Sequence, residues 1–144
     1  MDEMKYYVAV DGDDGEQGTL RKPFATLARA RDAVRKLKQE AGEKGLQKAV
    51  TVFIRGGTYY LRKPLLLGRQ DSGTQDHPVK WCAHPGEKAI LSGGAQVTGW
   101  TNYRGRILKA PAPEGAAWHG KPRQLFYRAQ RQRRSRWPKL DPRN

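Results

Sequence analysis

A single cysteine, Cys82, stands in these 144 residues, so no intramolecular disulfide can staple the fold and the redox compartment cannot be read from cysteine usage. Cys82 lies inside an apolar run and is expected to act as a small buried hydrophobe. No stretch is apolar for the length of a membrane span. The first residues, MDEMKYYVAV, have neither a basic leader nor a long apolar segment, so no export signal is read there and the chain is expected to be soluble. Acidic residues are also short: fourteen Asp and Glu face twenty-eight Lys and Arg, a formal charge of +14. That excess admits nucleic acid, acidic polysaccharide or an anionic surface as partners, and bears on association rather than fold. At this length the chain is one ordinary domain or a part of a larger one.

What is present is a long region of strand signals from Val50 to Gly94. Val50, Val52 and Ile54 alternate with Thr51 and Phe53, which suits a half-buried strand. Gly56 and Gly57 stop that run, and Thr58 to Leu61 and Leu65 to Leu67 follow as two shorter ones. The pattern recurs. Val79 to Ala83 answers Val50 to Ile54, Ala89 to Ser92 answers Tyr59 to Leu61, and Val97 to Gly99 answers Leu65 to Leu67, at offsets of 29, 30 and 32 residues. Short strands repeating at such a period are read as stacked coils of a β-solenoid or, equally, as an antiparallel meander or sandwich.

Ahead of this region, Tyr6 to Val10 reads as a strand and DGDDGEQGT as a turn. Asp11, Asp13 and Asp14 have the alternation of calcium ligands, but Lys22 stands where an EF-hand needs its Glu, so no metal site is assigned. From Phe24 the period becomes 3.6. Leu27, Ala30, Val34, Leu37 and Ala41 form one stripe, Pro23 suits the first turn and Gly42 the stop, giving a helix over 24–41 with a basic outer face. Such a helix can cover the open end of a strand stack.

After Gly94 the strand candidates are Val97 to Trp100, Arg106 to Lys109 and Gln124 to Tyr127. The segment 121–144 is a basic tail, nine Lys and Arg against Asp141. Within it Arg131, Arg133, Arg134, Arg136 and Trp137 are the candidate contacts to a polyanion or a sugar, cations for phosphate or carboxylate and an indole for stacking.

The blocks YYVAVDGDDGEQGTLRKPFATLARARDAVRKLK, VTVFIRGGTYYLRKPLLL, DSGTQDHPVKWCAHPGEKAILSGGAQVTGW and RQLFYRAQRQRRSRWPK stand in an order that resembles the N-terminal portion of right-handed parallel β-helix proteins of the broad pectate-lyase-like group, nearest in kind to bacterial β-helix glycoside hydrolases and their uncharacterised relatives. The resemblance implies a mostly β fold: an N-terminal strand over 6–10, a capping helix over 24–41 and the first coils of a right-handed parallel β-helix over about 50–110, all part of a larger domain. It also implies polysaccharide as partner, in proteins that are usually exported. Where this chain has Tyr127-Arg128-Ala129, the relatives tend to have an apolar residue followed by Asn-Gly, and where it has Pro138-Lys139 they tend to have Pro-Asn.

Glycoside hydrolysis needs two carboxyl groups across the scissile bond, about 5–5.5 Å apart for retention or about 6.5–9.5 Å for inversion. The resemblance puts such groups on later coils, so no catalytic residue and no cofactor is assigned here. Asp71 and Asp76 flank the corner DSGTQD and are read as turn formers rather than as that pair. Three functions stand: the inactive N-terminal segment of a glycoside hydrolase-like β-helix protein, a non-catalytic carbohydrate-binding or structural β-helix module, and a basic nucleic-acid-binding protein. Self-association through an open strand edge is expected in the first two.

Overall fold

The computed structural model describes residues 3–113 and 124–133. The chain divides into two compact units, Met1–Val97 and Thr98–Asn144. Strand outweighs helix in the regular structure, and the first unit carries the core.

In the first unit, β1 (Met4–Val8), β2 (Val50–Ile54) and β4 (Val79–Ala83) form one parallel sheet in the order β1-β2-β4, and β3 (Gly57–Tyr60) pairs in parallel with β5 (Ala89–Ser92). The register is unbroken: Met4, Val50 and Val79 stand side by side, as do Val8, Ile54 and Ala83. The 29-residue offset read for β2 and β4 is the observed one. For β5 the expected register is off by two, since Ala89 lies beside Gly57 and Leu91 beside Tyr59. A shift of two keeps every side chain on its face, which is why alternation could not detect it. Tyr59 helps fix the position, because its hydroxyl donates to the carbonyls of Val8 and Arg55.

Strand alternation decides what is buried. Val50, Val52 and Ile54 point inward with Val8 and join Phe24, Leu27, Ala30, Val34, Leu46 and Tyr59 in the core. Tyr6, Val79 and Trp81 pack against it on the same face. The opposite face carries Tyr7, Phe53 and Cys82 in one row. Cys82 is therefore exposed, and the expectation of a buried thiol is corrected by its place on the outward parity of β4.

β1 spans Met4–Val8 rather than 6–10. Its partner β2 is only five residues long, and the Ala9 N–H leaves the ladder to bond the Phe24 carbonyl as the Val10-Asp11 turn begins. The helix, α1, begins at Leu27 instead of 24. Thr26 is its N-cap, its hydroxyl accepting from the Arg29 N–H, while Phe24 is drawn into a bridge with Val8 and buried to 1% exposure. Pro23 stays outside the helix. The C-terminal stop at Gly42 holds, in a conformation with φ of 55°. Leu27, Ala30, Ala33 and Val34 are buried, whereas Leu37 is only half-buried. Gly57, at φ of 141°, lies so close to Val10 that a Cβ would stand 2.8 Å from that side chain, so glycine opens β3 for a steric reason.

Leu65–Leu67 and Val97–Gly99, expected as a third pair of strands, are not strands, and neither is the wider Val97–Trp100. Leu66 is 72% exposed and its carbonyl accepts from Arg31 on α1. In the second unit β6 (Thr101–Arg104) and β7 (Ile107–Lys109) form an antiparallel hairpin, where a further parallel coil to about residue 110 was expected; Gly105, at φ of 55°, turns the chain back. β7 begins one residue after the expected Arg106. β8 is Phe126–Tyr127, shorter than the expected 124–127, and pairs antiparallel with β9 (Gln130–Arg131).

Candidate functional site

Three carboxylates, those of Asp71, Asp14 and Glu87, are committed to holding the chain. Asp71 is buried at the corner after Gly68, where Arg35 of α1 grips both oxygens, Nε to Oδ1 at 2.6 Å and a terminal nitrogen to Oδ2 at 2.8 Å. The Gly68 N–H also donates to it at 2.7 Å. The Arg35 bond first, and then that N–H, bring its carboxyl down to about 2. Asp71 is buried in these bonds, whereas Asp76, five residues on, is exposed. The turn reading of Asp71 missed its function as an anchor for α1, because its partner is 36 residues away.

Asp14 accepts from the N–H groups of Ala25 and Thr26 at 2.9 and 2.8 Å and from the Thr26 hydroxyl at 2.7 Å, so it organises the start of α1. Asp13 accepts from the Gly15 N–H within the turn. Among the described residues no group of three or more His, Cys, Asp or Glu side chains is gathered as a metal site.

Glu87 is the third. It accepts from the Gly56 N–H and from Arg55 Nε at 2.8 Å, and these, the N–H first, hold its carboxyl below the usual range. The His84 Nδ1 lies 3.3 Å from the same carboxylate. The imidazole meets Phe53 edge-on at 5.7 Å, and Phe53 stacks on Tyr7 at 5.4 Å between centroids. Tyr7, Phe53, His84, Glu87 and Arg55 thus form one mixed aromatic and ionic surface on the outer face of the sheet. Sequence reasoning did not assemble it. The signal was available in the 29-residue offset, which sets Phe53 beside Cys82 and so brings His84 next to Arg55.

The cations of α1 are largely engaged by the chain itself. Arg29 lies 4.6 Å above the Phe24 ring and donates to the Asp14 carbonyl, Arg31 bonds Asp32, Arg35 holds Asp71, and the Lys38 ammonium donates to the carbonyls of Gln70 and Ser72 at 2.8 and 2.6 Å. Arg31 and Arg35 are thus paired with carboxylates, whereas Arg29 and Lys38 bond neutral carbonyls and keep their charge. Of the tail candidates, Arg131 stands in β9 opposite Phe126 and Arg133 follows it, both exposed. Arg134, Arg136 and Trp137 lie outside the described residues.

An open cleft of about 580 Å³ lies between the first turns of α1 and β3 with the segment after it. Its lining combines the basic Arg31, Arg62 and Lys63 with the apolar Val10, Leu61 and Leu65 and the ring of Tyr60. Its size falls in the usual range of ligand clefts.

No protein-family model matches the chain. A solved structure described as a glycoside hydrolase superposes on 89% of the chain with a TM-score of 0.76 and 30% sequence identity, and the chain spans 21% of that structure. A structure of XylC with xylose matches over 73% of this chain and 14% of its own, at 25% identity and a TM-score of 0.49. Among curated proteins, the uncharacterized protein YwoF of Bacillus subtilis (strain 168) is 36% identical over 87 residues, 60% of this chain and 15% of that protein. The chain therefore spans about a fifth or less of the length of the proteins it matches.

Proposed function

We propose that these residues form the N-terminal cap and opening coils of a right-handed parallel β-helix in a protein that acts on polysaccharide, glycoside hydrolase-like, with the reacting groups on other coils. The observation that carries the reading is the pair of parallel ladders, β1-β2-β4 and β3-β5, laid down in chain order without a break in register. After β1, each of the next two passes of the chain adds one strand to each ladder, β2 with β3 and then β4 with β5, as a solenoid requires. α1 is the cap: it packs its apolar stripe into the core beside the first strand of the larger ladder. The likeness to a glycoside hydrolase over nearly the whole chain supports the carbohydrate part of the reading.

The state of the carboxylates supports placing the chemistry elsewhere. A general acid needs a carboxyl that holds a proton near working pH, and Asp71 and Glu87 are both pushed the other way. The experiment is to incubate the purified chain with xylan, pectin and fucosylated glycans and to assay reducing ends. No release is expected. Release of reducing sugar that disappears in Glu87→Gln would put the reacting groups within these residues and overturn the proposal.

A further inference from the structure

The cleft beside β3 has a property that its volume alone does not convey. The Gly57 N–H donates to the Lys88 carbonyl at 3.1 Å and the Leu61 N–H to the Ser92 carbonyl at 2.8 Å, so the odd-numbered residues of this strand bond toward β5. Alternate residues of a paired strand present their backbone groups to opposite edges, which turns the N–H and C=O of Thr58 and Tyr60 away from β5. No residue of β5 lines the cleft, whereas Thr58 and Tyr60 do, together with Ala25–Ala28 of the α1 entry. Among the described residues β2 has a strand on each side, but β3 has one only on its β5 side. The cleft therefore runs along the edge of β3 that has no strand partner among the described residues.

Its wall selects the occupant. None of the fourteen lining residues is acidic. Arg31 is already paired with Asp32, but Arg62 and Lys63 are exposed and have no ion-pair partner among the described residues. Val10 and Tyr60, 54% and 47% exposed, offer apolar contact beside them. Four residues of strand edge extend about 13 Å, enough for a short extended segment. We propose that this cleft takes an extended peptide segment carrying acidic side chains, which adds to β3 as a further strand with apolar residues against Val10 and Tyr60 and carboxylates at Arg62 and Lys63. Strand addition supplies affinity through the main chain and specificity through alternate side chains. A glycan would use the same two cations but not the regularly spaced backbone groups. The inference does not depend on the carbohydrate reading above.

The test is fluorescence anisotropy of the full chain with a labelled octapeptide of alternating Val and Glu. Saturable binding is expected, together with shifts of the Thr58 and Tyr60 amide resonances. A peptide N-methylated at the two amides facing β3 keeps its charge and loses two hydrogen bonds, so about tenfold weaker binding is expected. Arg62→Glu combined with Lys63→Glu, both on exposed positions, is expected to weaken binding at least tenfold while the circular dichroism stays unchanged. Equal binding of the N-methylated peptide, equal competition by a uronic-acid oligomer, or no binding at all would overturn the proposal.

Discussion

Arg35 on α1 and Asp71 at the corner before β4 form a two-pronged ion pair with only 5% of the Asp71 side chain exposed, and it ties the helix to the loop between the two strand passes. Removing one partner leaves a buried charge without its counter-ion. Arg35→Ala is therefore expected to cost about 3 kcal/mol in a denaturant titration. The pH dependence follows from the depressed carboxyl. Its contribution is complete above the ordinary value of 3.8 and disappears as pH falls through about 2, an effect of at most about 2 kcal/mol. Asp71→Asn should flatten the stability profile in that window and leave it parallel to the parent above pH 5.

Burial along α1 ranks its substitutions. Leu27 is 3% exposed and Leu37 only packs on the edge of the core, so Leu27→Ala is expected to cost about 2–5 kcal/mol and Leu37→Ala clearly less. Lys36→Ala, with 75% of the side chain exposed, should change stability by under about 0.5 kcal/mol. Chemical denaturation of the three variants checks the order.

In the β8–β9 hairpin, Arg128 and Ala129 occupy positive φ values of 49° and 61°. A tight turn with both central residues there favours Asn-Gly, and a non-glycine residue in that region costs about 1–2 kcal/mol. Arg128→Asn with Ala129→Gly is expected to stabilise the hairpin by about 1 kcal/mol or more. Slower exchange of the Gln132 amide, which bonds the Leu125 carbonyl, is the readout.

Because Cys82 lies on the exposed face of β4, the native chain is expected to react with a thiol reagent in one equivalent, at a rate within a few fold of the denatured chain. A reaction slowed more than a hundredfold would mean that β4 is covered.

How much of this could be read in advance varied with the range of the interaction concerned. The alternation of Val50, Val52 and Ile54 and the stripe on α1 are local patterns, and both elements were legible with errors of a few residues at the N-terminal end of the helix. That end moved because Asp14 captures Ala25 and Thr26 from 11 and 12 residues away. Cys82 could have been placed correctly: with Val79 and Trp81 facing in, the parity of the strand turns Lys80 and Cys82 out. The anchoring by Asp71, the Glu87 cluster and the free edge of β3 depend on partners thirty or more residues apart or on which neighbour a strand lacks, and no local pattern reports either.

Successive strand passes stack in parallel and in register, and one cross-link tests that stacking. Phe53 stands beside Cys82 in the β2–β4 register, and neighbouring strands about 4.8 Å apart are within disulfide reach. Phe53→Cys is expected to form an intramolecular bridge with Cys82 under mild oxidation. Thr51→Cys, two residues out of register and about 8 Å from Cys82 by the same strand geometry, should remain free. Bridging by Thr51→Cys but not by Phe53→Cys, or by neither, would contradict the stacking and with it the coil reading of this chain.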